Sequence, residues 1–166
     1  MKAVVIGSGG REHALAWKLL QSQAMTEVVC IPGNGGTALL PGCHNVEIDL
    51  DDGDEIASYA LSNNVAFVLV GPEQPLADGM ADVLRAKNIK VFGPNQDGAQ
   101  LEASKAWAKE LMAEASVPTA ASAVFTNADH AVAYVEDKGA PIVIKADGLA
   151  AGKGVTVAME KEEAIA

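Results

Sequence analysis

Short β-branched runs alternate with helix-like stretches from the first residue onward, and glycine turns separate them. This alternation constrains the fold more than any other feature of the chain. Strand, glycine turn, helix, strand is the signature of βαβ units, and in series they build a doubly wound parallel sheet of the α/β class. The predicted strands are "AVVI" (3–6), "VVCI" (28–31), "VEI" (46–48), "FVLVG" (67–71) and "KVFG" (90–93). Between them, "REHALAWKLLQS" (11–22), "DEIASYALSNN" (54–64) and "PLADGMADVLRAKN" (75–88) space their apolar residues as helices do. The crossovers should be right-handed. Apolar residues make up 49% of the chain but aromatics only 4%, so the core must be built from Val, Ile, Leu and Ala. That suits a sheet covered by helices on both faces.

After Pro94 the rhythm changes. Residues 97–116 form one long helical stretch, expected to break near Ala103 and Ser104, and "VPTA" ends it. A second set follows: strand 122–125, helix 128–138, strand 141–146, a glycine loop, strand 154–158 and an incipient helix in "EKEEAIA". A boundary is therefore expected within about 94–118. It separates a doubly wound domain (1–100) from a linker helix (101–117) and the start of a second domain (118–166). The second set stops early, so the chain is expected to be part of something longer.

Formal net charge is −10, which favours solubility and argues against a nucleic-acid partner, since such proteins carry a basic face. Cys30 and Cys43 read as reduced thiols of a cytosolic protein. The opening apolar run is too short for a signal peptide, and no stretch approaches the ~18 uninterrupted apolar residues of a membrane span. A cytoplasmic location without membrane contact is expected.

Three glycine-bearing loops fall at predicted carboxyl ends of strands. "GSGGRE" (7–12) opens the first helix, where a doubly wound fold offers backbone N–H groups to an anion. It half-matches the dinucleotide fingerprint, but Glu12 stands where the third glycine should be, and no acid follows strand two. NAD is therefore disfavoured. "PGNGGTA" (32–38) follows the second strand and "GPEQPLADG" (71–79) the fourth. Their convergence on one rim predicts a substrate cleft. Its candidate contacts are Gly9, Gly10 and Arg11, then Gly33, Asn34, Gly35, Gly36 and Thr37, and finally Pro72 and Glu73. His13 is expected to cap or pack, and His44 and His130 lack metal-ligand spacing. Trp17 and Trp107 fall in helical stripes and are expected in the core. "DLDDGDE" (49–55) lacks calcium-loop spacing and reads as an acidic loop leading into a helix.

"KADGLAAGKGV" (145–155) is the other candidate. It is not a Walker loop: three residues, not four, separate Gly148 from Gly152, and Gly154 replaces the hydroxyl residue. Lys145 ends a nearly uninterrupted apolar strand and must find an anion or reach water. Gly148, Gly152 and Gly154 leave the backbone free to lie over a polyphosphate, with Lys153 mobile among them.

"VIGSGGREHALAWKL", "PGNGGTA", "GPEQPL", "VFGP", "QLEASKAWAK", "VPTA" and "PIVIKADGLAAGKGV" resemble, in order and spacing, the phosphoribosylamine–glycine ligase (glycinamide ribonucleotide synthetase) family of the ATP-grasp superfamily. The resemblance runs over nearly the whole chain and concerns the N-terminal part of that family. It implies a pre-ATP-grasp, Rossmann-like domain followed by the truncated start of an ATP-grasp domain. It implies a glycine loop acting as a lid over ATP phosphates, Lys145 on the nucleotide, and a second lysine, Lys105, from the preceding helix. The implied reaction joins glycine to 5-phosphoribosylamine at the expense of ATP, through a glycyl phosphate, in purine biosynthesis. It also implies Mg²⁺ or Mn²⁺ with ligands beyond residue 166, a monomer when full length, and no activity from these residues alone. Another ATP-grasp ligase or carboxylase subunit would share the lysine strand and glycine loop but not "PGNGGTA" with "GPEQPL". A non-catalytic nucleotide-binding module is the remaining alternative.

Overall fold

The structure, a computed structural model, describes residues 1–150 and 152–166; Ala151, inside the predicted glycine loop, lies outside the described residues. Two compact units divide the chain, Met1–Ala99 and Gln100–Ala166.

The first unit is a five-stranded parallel sheet of order β3-β2-β1-β4-β5, formed by β1 (Lys2–Gly7), β2 (Glu27–Pro32), β3 (Cys43–Asn45), β4 (Phe67–Val70) and β5 (Val91–Phe92). Period-2 alternation sorts its side chains onto two faces. Val4, Ile6, Val29, Ile31, Val68 and Val70 join a larger core with Ile56, Ala57 and Ala60 of α3 (Gly53–Ser62) and with Met80, Ala81 and Leu84 of α5 (Met80–Ala86). Val5, Val28, Cys30 and Leu69 face the other way, onto Ala16, Leu15 and Leu19 of α1 (Gly10–Leu20). Helices on both faces of a parallel sheet are the doubly wound architecture expected from the alternation.

Some local expectations are corrected. The third strand is Cys43–Asn45, not 46–48, because it is 43–45 that pair with Val28, Val29 and Cys30. Val46 still donates its N–H to the Cys30 carbonyl at 3.0 Å, and Val46 and Ile48 pack on the core just past the ladder. Their alternation is that of an extended chain lying on a core. The predicted helix 75–88 is two helices, α4 (Glu73–Ala77) and α5, because Gly79 between them is left-handed (φ 91°). Trp17 is 54% exposed: α1 turns Ala16 inward, and one residue further on the side chain points away.

The second unit holds α7 (Lys105–Glu114), α8 (Ala128–Lys138), the antiparallel pair β6 (Ile142–Lys145) and β7 (Val155–Ala158), and α9 (Lys161–Ile165); α6 (Gln96–Ala103) runs from one unit into the other. The break at Ser104 falls where it was expected: its hydroxyl accepts the Trp107 N–H at 3.2 Å and caps α7. Asn127 caps α8 in the same way through the His130 N–H. The strand expected at 122–125 is absent among the described residues; that segment is exposed and unpaired in any ladder. Trp107 is 39% exposed, and Ala108 is the residue of α7 that is buried. No helix among the described residues is long and apolar enough to cross a membrane.

Candidate functional site

In the first unit, β1 lies between β2 and β4, so the connections leaving β1 and β4 diverge at this point. Open α/β sheets bind ligands at such a switch point, beyond the carboxyl ends of the strands. Gly7 pairs with Pro32 and Ile6 with Val70, which brings the three glycine loops together on one rim.

Glu12 organises that rim. It is only 3% exposed, accepts the Gly9 N–H at 2.7 Å, and receives the Arg11 Nε at 2.8 Å. A Cβ on Gly7 would come within 2.7 Å of the Glu12 Cγ, and one on Gly71 within 2.3 Å of its Oε1. The two glycines thus leave room for the carboxylate. The residue that spoils the dinucleotide fingerprint fills the space between two loops. Arg11 then reaches Glu73 across the crevice, its Nη1 at 2.5 Å and its Nη2 at 3.3 Å from the two carboxylate oxygens. Glu73, then Glu12, hold the guanidinium charged far above neutral pH, and Arg11 lowers the Glu73 carboxyl below its ordinary value. Both partners are about half exposed, so a ligand can reach them.

The loop after β2 is built by Asn34. Its Oδ1 accepts the N–H groups of Gly36 (2.7 Å) and Thr37 (3.0 Å), while its Nδ2 donates to the carbonyls of Ser8 and Gly9 in the neighbouring loop. Thr37 is fully buried, and its hydroxyl donates to the Asn45 Oδ1 at 2.7 Å. The side chains of Asn34 and Thr37 therefore shape the loop. Asn45, the last residue of β3, donates from its Nδ2 to the Asn34 carbonyl and completes the network; it stands just before the predicted third strand and carried no signal in the sequence. His13 packs over Gly36, where a Cβ would meet its ring at 2.7 Å. Gly10 and Gly35 face open space. Pro72 is the N-cap residue of α4. An acidic hollow lined by Asp49, Asp51, Asp52 and Asp54 shares no residue with these loops. Among the described residues, no group of three or more His, Cys, Asp or Glu is placed to hold a metal.

In the second unit, Lys145 is the last residue of β6, paired in register with Val155, and its side chain is exposed. Lys153 is exposed too, and its N–H donates to the Ala150 carbonyl at 2.9 Å. Gly148 and Gly152 are left-handed (φ 88° and 77°), and a Cβ on either would meet nothing within 4 Å. Gly154 is different: a Cβ there would lie 2.7 Å from that of Ala150, and its carbonyl accepts the Ala146 N–H. Lys105 donates from Nζ to the Gly148 carbonyl at 2.6 Å, so the expected partner lysine does meet this loop. Asp147, not singled out from the sequence, accepts the N–H groups of Lys105 (2.6 Å) and Ala106 (3.2 Å) and the Ser104 hydroxyl (3.2 Å). Lysine ammonium groups and glycine backbone N–H groups are the kinds of donor that bind phosphate.

The switch-point domain and the lysine-ended strand with its glycine loop fall in the two halves of one family match, the second of them an ATP-grasp domain. The family described as phosphoribosylglycinamide synthetase, N domain, matches residues 1–102, and its ATP-grasp (A) domain matches residues 103–166. The chain belongs to this phosphoribosylglycinamide synthetase family. It is 60% identical to a phosphoribosylamine–glycine ligase of Nostoc sp. and 55% identical to that of Synechocystis sp., in each case over 99% of this chain and 39% of the relative. The chain thus spans well under half the length of those relatives. The crystal structure of a phosphoribosylamine–glycine ligase from Thermotoga maritima is similar over 99% of this chain and 38% of that one, with TM-score 0.74 and 31% identity. The biotin carboxylase domain of a Hydrogenobacter thermophilus 2-oxoglutarate carboxylase shares the fold, with TM-score 0.72 at 22% identity.

Proposed function

We propose that this chain is the N-terminal part of a phosphoribosylamine–glycine ligase, which joins glycine to 5-phosphoribosylamine and converts ATP to ADP and phosphate. The observation that carries this reading is the pair of adjacent family matches, which together span the chain. Residues 1–100 form the substrate-side domain, 101–117 the linker helix, and 118–166 the beginning of the ATP-grasp domain. The carboxylase alternative is disfavoured, since the relatives at 55–60% identity bear the ligase name while the biotin carboxylase likeness is at the level of fold.

In this reading Lys105, Lys145 and Lys153, with the backbone of Gly148, Gly152 and Gly154, hold the ATP phosphates. They offset negative charge as the γ-phosphoryl passes to the glycine carboxylate. The ribosylamine nitrogen then attacks the acyl phosphate, forming the amide and releasing phosphate. Phosphoribosylamine carries a phosphate and an amine, and the Arg11–Glu73 pair at the switch point offers one charge to each. Gly9, Gly10, Gly33, Asn34, Gly35, Gly36, Thr37 and Pro72 set the shape of that crevice. In this reading Mg²⁺ or Mn²⁺ is held by residues of the full-length enzyme beyond residue 166. The enzyme acts in the cytoplasm as a monomer.

The test is direct. The full-length protein should form glycinamide ribonucleotide only when glycine, phosphoribosylamine and ATP are all present. Turnover with bicarbonate in place of glycine and the amine would replace this reading with the carboxylase one.

A further inference from the structure

The helix that carries Lys105 already has a local cap, since Ser104 takes the Trp107 N–H. That leaves the N–H groups of Lys105 and Ala106 free, as the first donors of a helix usually are. Asp147 takes both with one oxygen, from about 40 residues further along the chain, and uses its other oxygen for the Ser104 hydroxyl. The next residue, Gly148, receives the Lys105 ammonium on its carbonyl. Helix start and loop base are thereby joined twice, by groups that local sequence does not pair. The Ala106 N–H, then the Lys105 N–H, hold the Asp147 carboxyl below its ordinary value.

The partition of charge matters. Asp147 and Lys105 have opposite charges within one cluster, yet the carboxylate bonds backbone N–H groups and the ammonium bonds a neutral carbonyl. Among the described residues Lys105 forms no ion pair. The negative charge is matched to the helix N-terminus, so the lysine keeps its own charge for an anion. Lys145 lies two residues before Asp147, at the end of β6. One carboxylate therefore fixes the Lys105 helix relative to the strand end bearing Lys145.

We infer that Asp147 is a positioning residue for the nucleotide phosphates, acting through Lys105 and the base of the glycine loop without touching the nucleotide itself. The inference rests on the reading of this loop as the ATP-phosphate site. Asn at this position keeps an acceptor for the two N–H groups and a polar atom for Ser104, so it should restore most of what Ala removes.

The experiment uses full-length ligase carrying Asp147→Ala or Asp147→Asn. Without nucleotide, amide exchange at residues 105 and 106 should quicken on the order of five- to tenfold in the Ala variant, the scale of a lost cap, and stay near wild type in the Asn variant. With ATP, the Ala variant should show a KM for ATP raised on the order of tenfold and a smaller fall in kcat, and Asn should rescue it. Unchanged exchange at 105 and 106 overturns the latch. A fall in kcat and melting temperature with KM for ATP unmoved overturns the positioning role and leaves only a fold role. Failure of the underlying site reading looks different: Lys145→Ala would then use ATP normally, whatever the exchange data say of Asp147.

Discussion

Gly71, at the switch point, is glycine because Glu12 occupies the space beside it. Gly71 is not left-handed, so alanine suits its backbone, and the cost of Gly71→Ala arises from the methyl lying 2.3 Å from the Glu12 Oε1 and 2.7 Å from its Cγ. Glu12 is buried and held at both oxygens, so it cannot swing aside freely. Overpacking of this kind costs about 1–3 kcal/mol. Glu12→Ala strips the charged partner from the Gly9 N–H, worth about 1.5–3 kcal/mol. Arg11 is half exposed and keeps Glu73, so its lost contact adds about 1 kcal/mol at most. A total near 3 kcal/mol corresponds to a fall of roughly 10–20 °C in a unit of this size. In the double variant the alanine methyl enters vacated space, and the combined loss should fall short of the sum by about 1–2 kcal/mol. Urea denaturation of the wild type, the two single variants and the double variant measures this directly. Additivity within about 0.5 kcal/mol would show that Gly71 is glycine for some other reason.

Lys145→Ala in the full-length enzyme should reduce kcat/KM for ATP on the order of 10²-fold, as removal of a transition-state charge donor does. Lys87→Ala, which removes only a surface pair with Asp54, should change it little; equal kinetics would return Lys145 to the role of a solvated strand end. Hydrogen exchange across 146–155 should slow on addition of ATP to the full-length protein, and strong protection already present without nucleotide would make the loop a fixed turn. Burial pushes the Cys30 thiol up to about 12, and Cys43, 3.6 Å away, is raised by burial as well. Alkylation at pH 8, read by mass spectrometry, should therefore spare Cys30 until the chain is unfolded. The unfolded chain loses the Cys30 proton near pH 8.5 and the folded chain keeps it to about 12, so stability falls as pH rises between those values; a flat urea midpoint across that window would contradict the burial.

Periodicity and capping residues determined much of this protein. Helix 128–138 was legible to the residue because Asn127 starts it and Gly139 ends it, and the break at Ser104 because a hydroxyl residue there outcompetes helix continuation. The alternation of strands and helices settled the doubly wound class, and the glycine loops marked the rim, since such signals act over a few neighbouring residues. What the sequence left open depends on partners far along the chain. The position of the third strand was set by which residues meet Val28–Cys30, not by the apolar alternation of Val46 and Ile48. The same is true of the outward faces of Trp17 and Trp107, and of the missing strand at 122–125. Glu12 became the centre of the switch point only when Gly71 came beside it, and Asp147 a latch only when the start of α7 did. Local propensity reports what the backbone prefers within one element, but a buried carboxylate is tolerable only where tertiary structure brings donors to it.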